Sequence, residues 1–254
     1  METVSRKPLQ GIINIIRFNW HLYFIAICIV GVSHIAKPYF PLLHPVIGIT
    51  GIMIIAITLI SLIVSFYIYD LSNLYKLDWL NFLDLAAGSK LINIHAGFDE
   101  TSALFLKKYP EASITVLDFY DPRKHTEISI KRARKVYAVY PGTKTISTGE
   151  VQITSNSADV IFCILSAHEI RDSKERNGFF KQLKDGLALD GKIIVAEHLR
   201  NLPNFLAYNI GFLHFHSRGV WKHLFNAAEL IIEKELQITP FITVFILTKN
   251  GNPS

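Results

Sequence analysis

Charge is scarce in this chain, and the scarcity is uneven. Charged residues make up 19% of its 254 positions, where about 25% is usual for a soluble domain. No Asp, Glu, Lys or Arg occurs from Phe18 to Ala36, nor from Pro38 to Tyr69. Cysteine is nearly absent. Cys28 and Cys163 both sit in apolar runs, which excludes a disulfide framework and a cysteine metal centre, and they are expected as small buried hydrophobes. The formal charge of +5 is modest, and the basic residues are scattered except at Lys131-Arg132-Ala133-Arg134-Lys135. That run reads as a solvated helix face. Its functional reading is contact with anionic lipid headgroups, which suits such a chain better than nucleic acid does.

The uncharged stretches are long enough to matter. At about 1.5 Å per residue, Phe18 to Ala36 just crosses a hydrocarbon layer ~30 Å thick. Trp20, His21 and Tyr23 suit an interfacial belt at its start. Pro38 and Pro41 break the helix, and Val46 to Tyr69 is a second spanning candidate. The expectation is a transmembrane helical hairpin with a very short turn. Arg6, Lys7 and Arg17 flank it on one side and Lys37 alone marks the turn. The positive-inside bias then puts the N-terminus and the remaining domain in the cytoplasm. A cleaved signal peptide is disfavoured by the long apolar region and the second span that follows at once. A buried soluble hairpin is the other alternative. The chain divides into a basic flank (1–17), the two spanning helices (18–70), a juxtamembrane connector (71–89) and an α/β domain (90–254).

The domain is organised around Lys90 to Asp118. Leu91–His95 reads as a strand, Ala96-Gly97-Phe98 as a tight turn, Asp99–Lys108 as a helix, and Ser113–Asp118 as a second strand ending in an acid. Further on, the pattern predicts a helix over Pro122–Tyr137, a short strand over Thr143–Ser147, a strand over Ala158–Leu165, a helix over Ser173–Leu189 stopped by Asp190-Gly191, and a strand over Lys192–Glu197. Pro203–Leu230 reads as helical. Ile231–Thr239 and Phe241–Lys249, split by Pro240, read as an antiparallel pair. The expected fold class is α/β: a doubly wound seven-stranded sheet of five parallel strands plus a C-terminal antiparallel pair, preceded by the hairpin.

This order resembles the class I S-adenosylmethionine-dependent methyltransferases from about Trp79 to Asn250. The first motif of that family, acid-x-Gly-x-Gly-x-Gly, falls on Asn93-Ile94-His95-Ala96-Gly97-Phe98-Asp99, where only the middle glycine stands. Asp118 resembles the carboxylate that holds the ribose hydroxyls, and Gly149-Glu150 the pair whose acid lies near the adenine. The run from Ser157 through Leu165 to Asp172 is similar to the fourth strand and its loop. The resemblance implies S-adenosyl-L-methionine as cofactor, with Asn93, His95, Gly97, Asp118, Glu150 and Leu165 around it. Asn93 stands where it would hydrogen-bond the cofactor's amino group.

Methyl transfer needs orientation and, for a hydroxyl acceptor, a general base. Strand ends line the site in such a sheet, so His168 and Glu169, then Glu197 and His198, are the candidates. His168 comes first, because neutral imidazole accepts a proton near pH 7. His214 and His216 are not expected to hold a metal, since no third ligand is near them in sequence. Phe205, Tyr208, Phe212, Phe215 and Trp221 are expected to wall an acceptor pocket facing the bilayer, and Tyr75 or Asp78 to cap the cofactor. The whole predicts a membrane enzyme methylating a hydrophobic or lipid-like acceptor, O-methylation favoured. Two rivals stand beside it. One is a non-catalytic tethered interaction module, given the degenerate first motif. The other is a dinucleotide-dependent oxidoreductase, disfavoured by the terminal hairpin and the absence of Gly-x-Gly.

Overall fold

The computed structural model describes residues 6–125 and 127–249. The first five residues of the basic flank, Thr126 within the helix expected over Pro122–Tyr137, and the last five residues of the domain lie outside them. Both uncharged stretches are helical: α1 spans Gln10–Ala36 and α2 spans His44–Phe66. Pro38 and Pro41 sit in two short 3-10 turns between them. Each helical stretch is long and apolar enough to cross a membrane. Ile27, Val32 and Ile35 of α1 and Ile52 and Ile63 of α2 are exposed. Cys28 is exposed as well, against expectation, because its face of α1 meets no other part of the chain.

After α2 the chain makes one π-helical turn, Tyr67–Leu71. Asp70 in that turn reaches back to α1. Its Oδ1 accepts from the Gly11 N–H at 2.8 Å and its Oδ2 from the Ile12 N–H at 2.7 Å. These N–H groups have no partner inside their helix and lie at its positive end. Gly11 makes the approach possible, since a Cβ there would stand 2.5 Å from the Tyr69 Cβ. Asp70→Ala is therefore expected to destabilise the folded chain by about 1–2 kcal/mol, read as a lower unfolding midpoint in detergent. An unchanged midpoint would remove Asp70 as the clasp of the hairpin.

The α/β domain contains β1 (Lys90–His95), α3 (Ser102–Lys108), β2 (Ser113–Asp118), α4 (Ile128–Val136), β3 (Lys144–Thr145), β4 (Ala158–Ile164), α5 (Ser173–Gly186), β5 (Leu187–His198), α6 (Leu202–Tyr208), α7 (Arg218–Ala227), β6 (Leu230–Thr239) and β7 (Ile242–Lys249). The sheet runs β3-β2-β1-β4-β5-β7-β6. The first five strands are parallel, and β7 is antiparallel to both its neighbours. The strand order reverses between β1 and β4, so a crevice opens beyond their carboxyl ends.

Several element ends differ from the sequence pattern, each for a local reason. The helix expected from Asp99 starts at Ser102, because the Asp99 carboxylate accepts from the N–H groups of Thr101 and Ser102. Asp121-Pro122 opens a turn instead of a helix: Asp121 accepts from the N–H groups of Arg123 and His125. Asp190-Gly191 does not end a helix but lies inside β5, where the register against β4 shifts. A Cβ at Gly191 would meet the Ala158 carbonyl oxygen at 2.8 Å. Pro203–Leu230 breaks into α6, a 3-10 segment over Asn209–His214, and α7.

The sheet is buried on both faces, as its nearly continuous apolar strands require. One core joins Ile92, Ile94, Ile161 and Cys163 to Phe179, Phe180, Trp221 and Phe225. The other joins Leu91, Phe162 and Val244 to Phe105, Leu74, Leu77 and Ile68. Ile68 belongs to the π turn, so the foot of the apolar hairpin is packed into the domain.

Candidate active site

The crevice begins at the β1–α3 turn. Gly97 has φ +94, and a Cβ there would lie 2.9 Å from the Tyr120 ring and 3.1 Å from Arg134 Nη1, so only glycine fits. Asn93 is buried and its side-chain amide is spent inside the turn, donating to Thr101 Oγ1 at 3.0 Å and Ser102 Oγ at 2.8 Å. His95 Nδ1 accepts from the Gly97 N–H at 3.1 Å. His95 Nε2 and Asp99 Oδ2 are buried with no partner among the described residues. Leu165, just past β4, is held at φ 50. That is a strained geometry for a branched side chain, of the kind that collects at functional sites. Glu150 is exposed at the end of the Ser147–Glu150 turn and does not line the cavity beside the β1–α3 turn.

Asp118 is buried at the end of β2, and its carboxylate is already engaged. Oδ1 accepts from the Tyr120 N–H at 2.9 Å and Oδ2 from Arg134 Nη1 at 2.6 Å. The same Nη1 donates to the Gly97 carbonyl at 3.2 Å, and the guanidinium lies over the Tyr120 ring. The basic run on α4 is therefore not a purely solvated face. Arg134 fills the gap between Gly97 and Asp118. Arg132 Nη1 donates to the Phe18 carbonyl at 2.5 Å and approaches His21 Nδ1 at 2.7 Å, tying α4 to α1.

Histidines gather beyond β4 and β5. His168 and Glu169 lie on a 3-10 turn after β4. His168 Nδ1 is 2.6 Å from Glu197 Oε2, and its Nε2 is 3.2 Å from Glu169 Oε1. Burial alone would lower the His168 pKa, but the two carboxylates outweigh it and push it up to about 10. Glu169 moves the other way: burial is overcome by His168 and His214, and its pKa falls well below the carboxylate range. The carboxylates thus favour the protonated form of His168, which works against the role of base expected of it.

His198 is different. Its Nδ1 faces Asn204 Oδ1 at 3.0 Å. The Asn204 amide donates to Asn201 Oδ1 and to the Phe241 carbonyl, which fixes its oxygen toward His198. His198 therefore carries its proton on Nδ1 and presents the Nε2 lone pair to Tyr69 Oη at 2.9 Å. Burial lowers its pKa to about 4, against the Asn204 hydrogen bond. It stays neutral at physiological pH, with a free lone pair on Nε2 facing Tyr69.

These shifts set a pH dependence of stability. His198 and His216, the latter lowered to about 3 by burial and by Arg176 and Arg171, have folded pKa values below the ordinary ~6.5. Their contribution is complete above that value and is lost as pH falls through about 4 and 3. His168, raised, contributes fully below ~6.5 and loses its share as pH rises through about 10. The unfolding midpoint is expected to be highest near neutrality and to fall on both sides. His198→Phe should flatten the acid limb, as thermal unfolding across pH would record.

A cavity of about 480 Å³ lies against His95, His168, Glu169 and His198. His95, Leu165, His168, Glu169 and His198 line one side, and Phe18, Leu22, Tyr23, Ser65 and Tyr69 of the hairpin line the other. Of the expected aromatic wall, Tyr208 and Phe215 line it. Phe205 packs on Phe212 at the surface, and Trp221 is buried in the core on α7. Tyr75 also lines the cavity and donates to Glu100 Oε2 at 2.8 Å, whereas Asp78 is exposed away from it. Sequence reasoning passed over Tyr69, whose π-turn position has no signature in residue types, and Asn204, which sits in an ordinary-looking helix start.

No protein-family model matches the sequence, and no curated protein matches it. Solved structures do match in shape. A protein from Pyrococcus horikoshii aligns over 68% of this chain and 88% of its own, with a TM-score of 0.50 and 13% identity. A SAM-dependent methyltransferase from Aquifex aeolicus covers 70% of this chain and 89% of its own, with a TM-score of 0.49 and 11% identity. The geranyl diphosphate C-methyltransferase of Streptomyces coelicolor covers 69% and 78%, at 0.49 and 8%. The strand order with its reversed seventh strand decides the matter. The fold is that of the class I S-adenosylmethionine-dependent methyltransferases.

Were S-adenosylmethionine bound where this fold offers a crevice, the residues present would suit it at one end and require one movement at the other. Beside Gly97, the unpartnered Asp99 Oδ2 and His95 Nε2 are polar atoms that an amino-acid group could satisfy. At Asp118 the Arg134 guanidinium stands where ribose hydroxyls would donate. Its side chain is 32% exposed and Asp118 only 4%, so the arginine can swing outward while the acid stays.

Proposed function

We propose that this chain is a membrane-anchored S-adenosylmethionine-dependent methyltransferase whose hydrophobic acceptor arrives from the bilayer. The observation that carries this reading is the cavity, which is floored by the carboxyl ends of β1, β4 and β5 and roofed by the apolar hairpin. A helix that is apolar all round belongs in a core or in lipid, and α1 and α2 are exposed. Tethering raises the local concentration of an acceptor that dissolves in the same bilayer. Arg6, on the N-terminal flank, donates to Glu100 Oε1 at 2.8 Å and stacks on Tyr75. These contacts support an N-terminus and domain on the same side, and the basic flank favours the cytoplasm for it.

The bound cofactor supplies an electrophilic methyl group on a sulfonium. The chain's own part is to orient an acceptor hydroxyl beside Tyr69 and to take its proton. Tyr69 Oη passes its proton to His198 Nε2 as it receives the acceptor's, and Asn204 holds the imidazole in the required tautomer. This arrangement supports a hydroxyl acceptor, whose proton a nearby base takes. Tyr208 and Phe215 provide the apolar wall, and stacking of His198 on Phe215, with ring centroids 4.7 Å apart, fixes the base.

The test uses the full chain reconstituted in nanodiscs, S-adenosylmethionine carrying a radiolabelled methyl group, and a total lipid extract. Label is expected in the organic phase, and only with the intact hairpin. No incorporation, together with no cofactor binding up to millimolar concentration, would instead favour the tethered interaction module.

A further inference from the structure

His168, Glu169 and His214 each direct one ligand-type atom toward a common point, and these atoms all lie within 4.8 Å of one another. We propose that they form a binding site for a divalent first-row transition metal, at the inner wall of the cavity. The site goes beyond the methyl-transfer reading and does not depend on it.

Distances are the first argument. Glu169 Oε1 is 3.2 Å from His168 Nε2 and 3.2 Å from His214 Nε2. Ligands bound to zinc at 2.0–2.2 Å in a tetrahedral site are about 3.3 Å apart. Those contacts are long for charge-assisted hydrogen bonds, which run about 2.7–2.9 Å. Both distances from Glu169 match the spacing that a shared ion would set.

The outer contacts are the second argument. His168 Nδ1 is 2.6 Å from Glu197 Oε2, and His214 Nδ1 is 3.3 Å from Glu127 Oε1. Each histidine thus has a carboxylate behind the ring nitrogen that faces away from the common point. That arrangement orients a metal-binding imidazole and raises its basicity. The carboxylates come from the end of β5 and the approach to α4, so four separate segments converge here.

Charge is the third argument. Glu197 is fully buried and Glu169 is 5% exposed; both face His168, and Glu169 faces His214 as well. Two buried carboxylates call for compensating positive charge, which a shared divalent ion supplies. A divalent ion would take the place of the proton on His168 Nε2. Two imidazoles and one carboxylate select zinc, iron or manganese over magnesium and calcium, which take oxygen ligands. The remaining coordination positions would face the cavity. Arg171 is the one group in the way: its guanidinium contacts the His214 ring and donates to the His214 carbonyl at 2.5 Å. Its side chain is exposed and can withdraw.

The experiment is a titration of untagged, chelator-stripped full chain in detergent with Zn²⁺, by calorimetry, followed by elemental mass spectrometry after gel filtration. One ion per chain at micromolar or tighter affinity is expected. His214→Ala and Glu169→Gln should each weaken it at least a hundredfold. Glu127→Gln should weaken it about tenfold. His214 is partly exposed and Glu169→Gln conserves volume, so circular dichroism should show both variants folded. Equal zinc uptake by the wild type and these variants, or no stoichiometric uptake by the wild type, would overturn the site.

Discussion

Asp118→Ala is expected to weaken binding of S-adenosylmethionine at least tenfold, and Arg134→Ala to strengthen it. The Asp118 carboxylate is buried, faces the turn at Gly97, and is positioned by the Tyr120 N–H. Ribose hydroxyls donating to it would form charge-assisted hydrogen bonds worth about 1.5–3 kcal/mol, a factor of roughly ten to a hundred in affinity. In the wild type the same carboxylate holds the Arg134 guanidinium at 2.6 Å. The cofactor must displace that bond, and the stacking of the guanidinium on Tyr120 with it. Removing the arginine removes the competition. Calorimetric titration of the full chain in detergent reads both effects. Unchanged affinity in Asp118→Ala would contradict the ribose assignment. Unchanged affinity in Arg134→Ala would mean that the guanidinium leaves at no cost.

The opposite signs of these effects expose what residue order can and cannot convey. Strands and hairpin are legible because they are set by local periodicity: β1 and β2 are apolar runs closed by polar ends, and no charge interrupts α1 or α2. Asp118 is legible from its distance to Gly97, a constraint of the βαβ unit itself. Arg134 is not, since it lies 37 positions from the turn it fills, within a run of four cations that reads as solvent-facing. The chemical roles of His168 and His198 are also opaque in sequence. Both stand at the carboxyl end of a strand, and both are histidines. Their difference comes from what packs around each ring: Glu197 and Glu169 favour the cation at His168, while burial keeps His198 neutral and the Asn204 carboxamide sets its tautomer. Glu197 reaches His168 from a neighbouring strand and Asn204 reaches His198 from the first turn of α6, so packing assigns those partners. His214 fails in the same way. Its potential co-ligands lie 45 and 46 positions earlier, which no local spacing rule detects.

The largest catalytic effect is expected at His198. His198→Ala should lower kcat on a hydroxyl acceptor by about 10²–10⁴, the usual contribution of a general base, with cofactor affinity unchanged. Asn204→Leu should produce a smaller fall, because it frees the ring to adopt the wrong tautomer without removing it. Tyr69→Phe should lower kcat as well, by breaking the relay between acceptor and imidazole. The pH profile separates this base from its neighbour. A base with a pKa of about 4 is deprotonated throughout the neutral range. The rate should then be flat from roughly pH 6 to 9 and fall only in acid, as His198 gains its second proton. Were His168 the base, its pKa of about 10 would make the rate climb across that whole interval. A tenfold rise per unit of pH between 7 and 9 would transfer the role to His168, while a level profile together with the kcat loss in His198→Ala would fix it on His198.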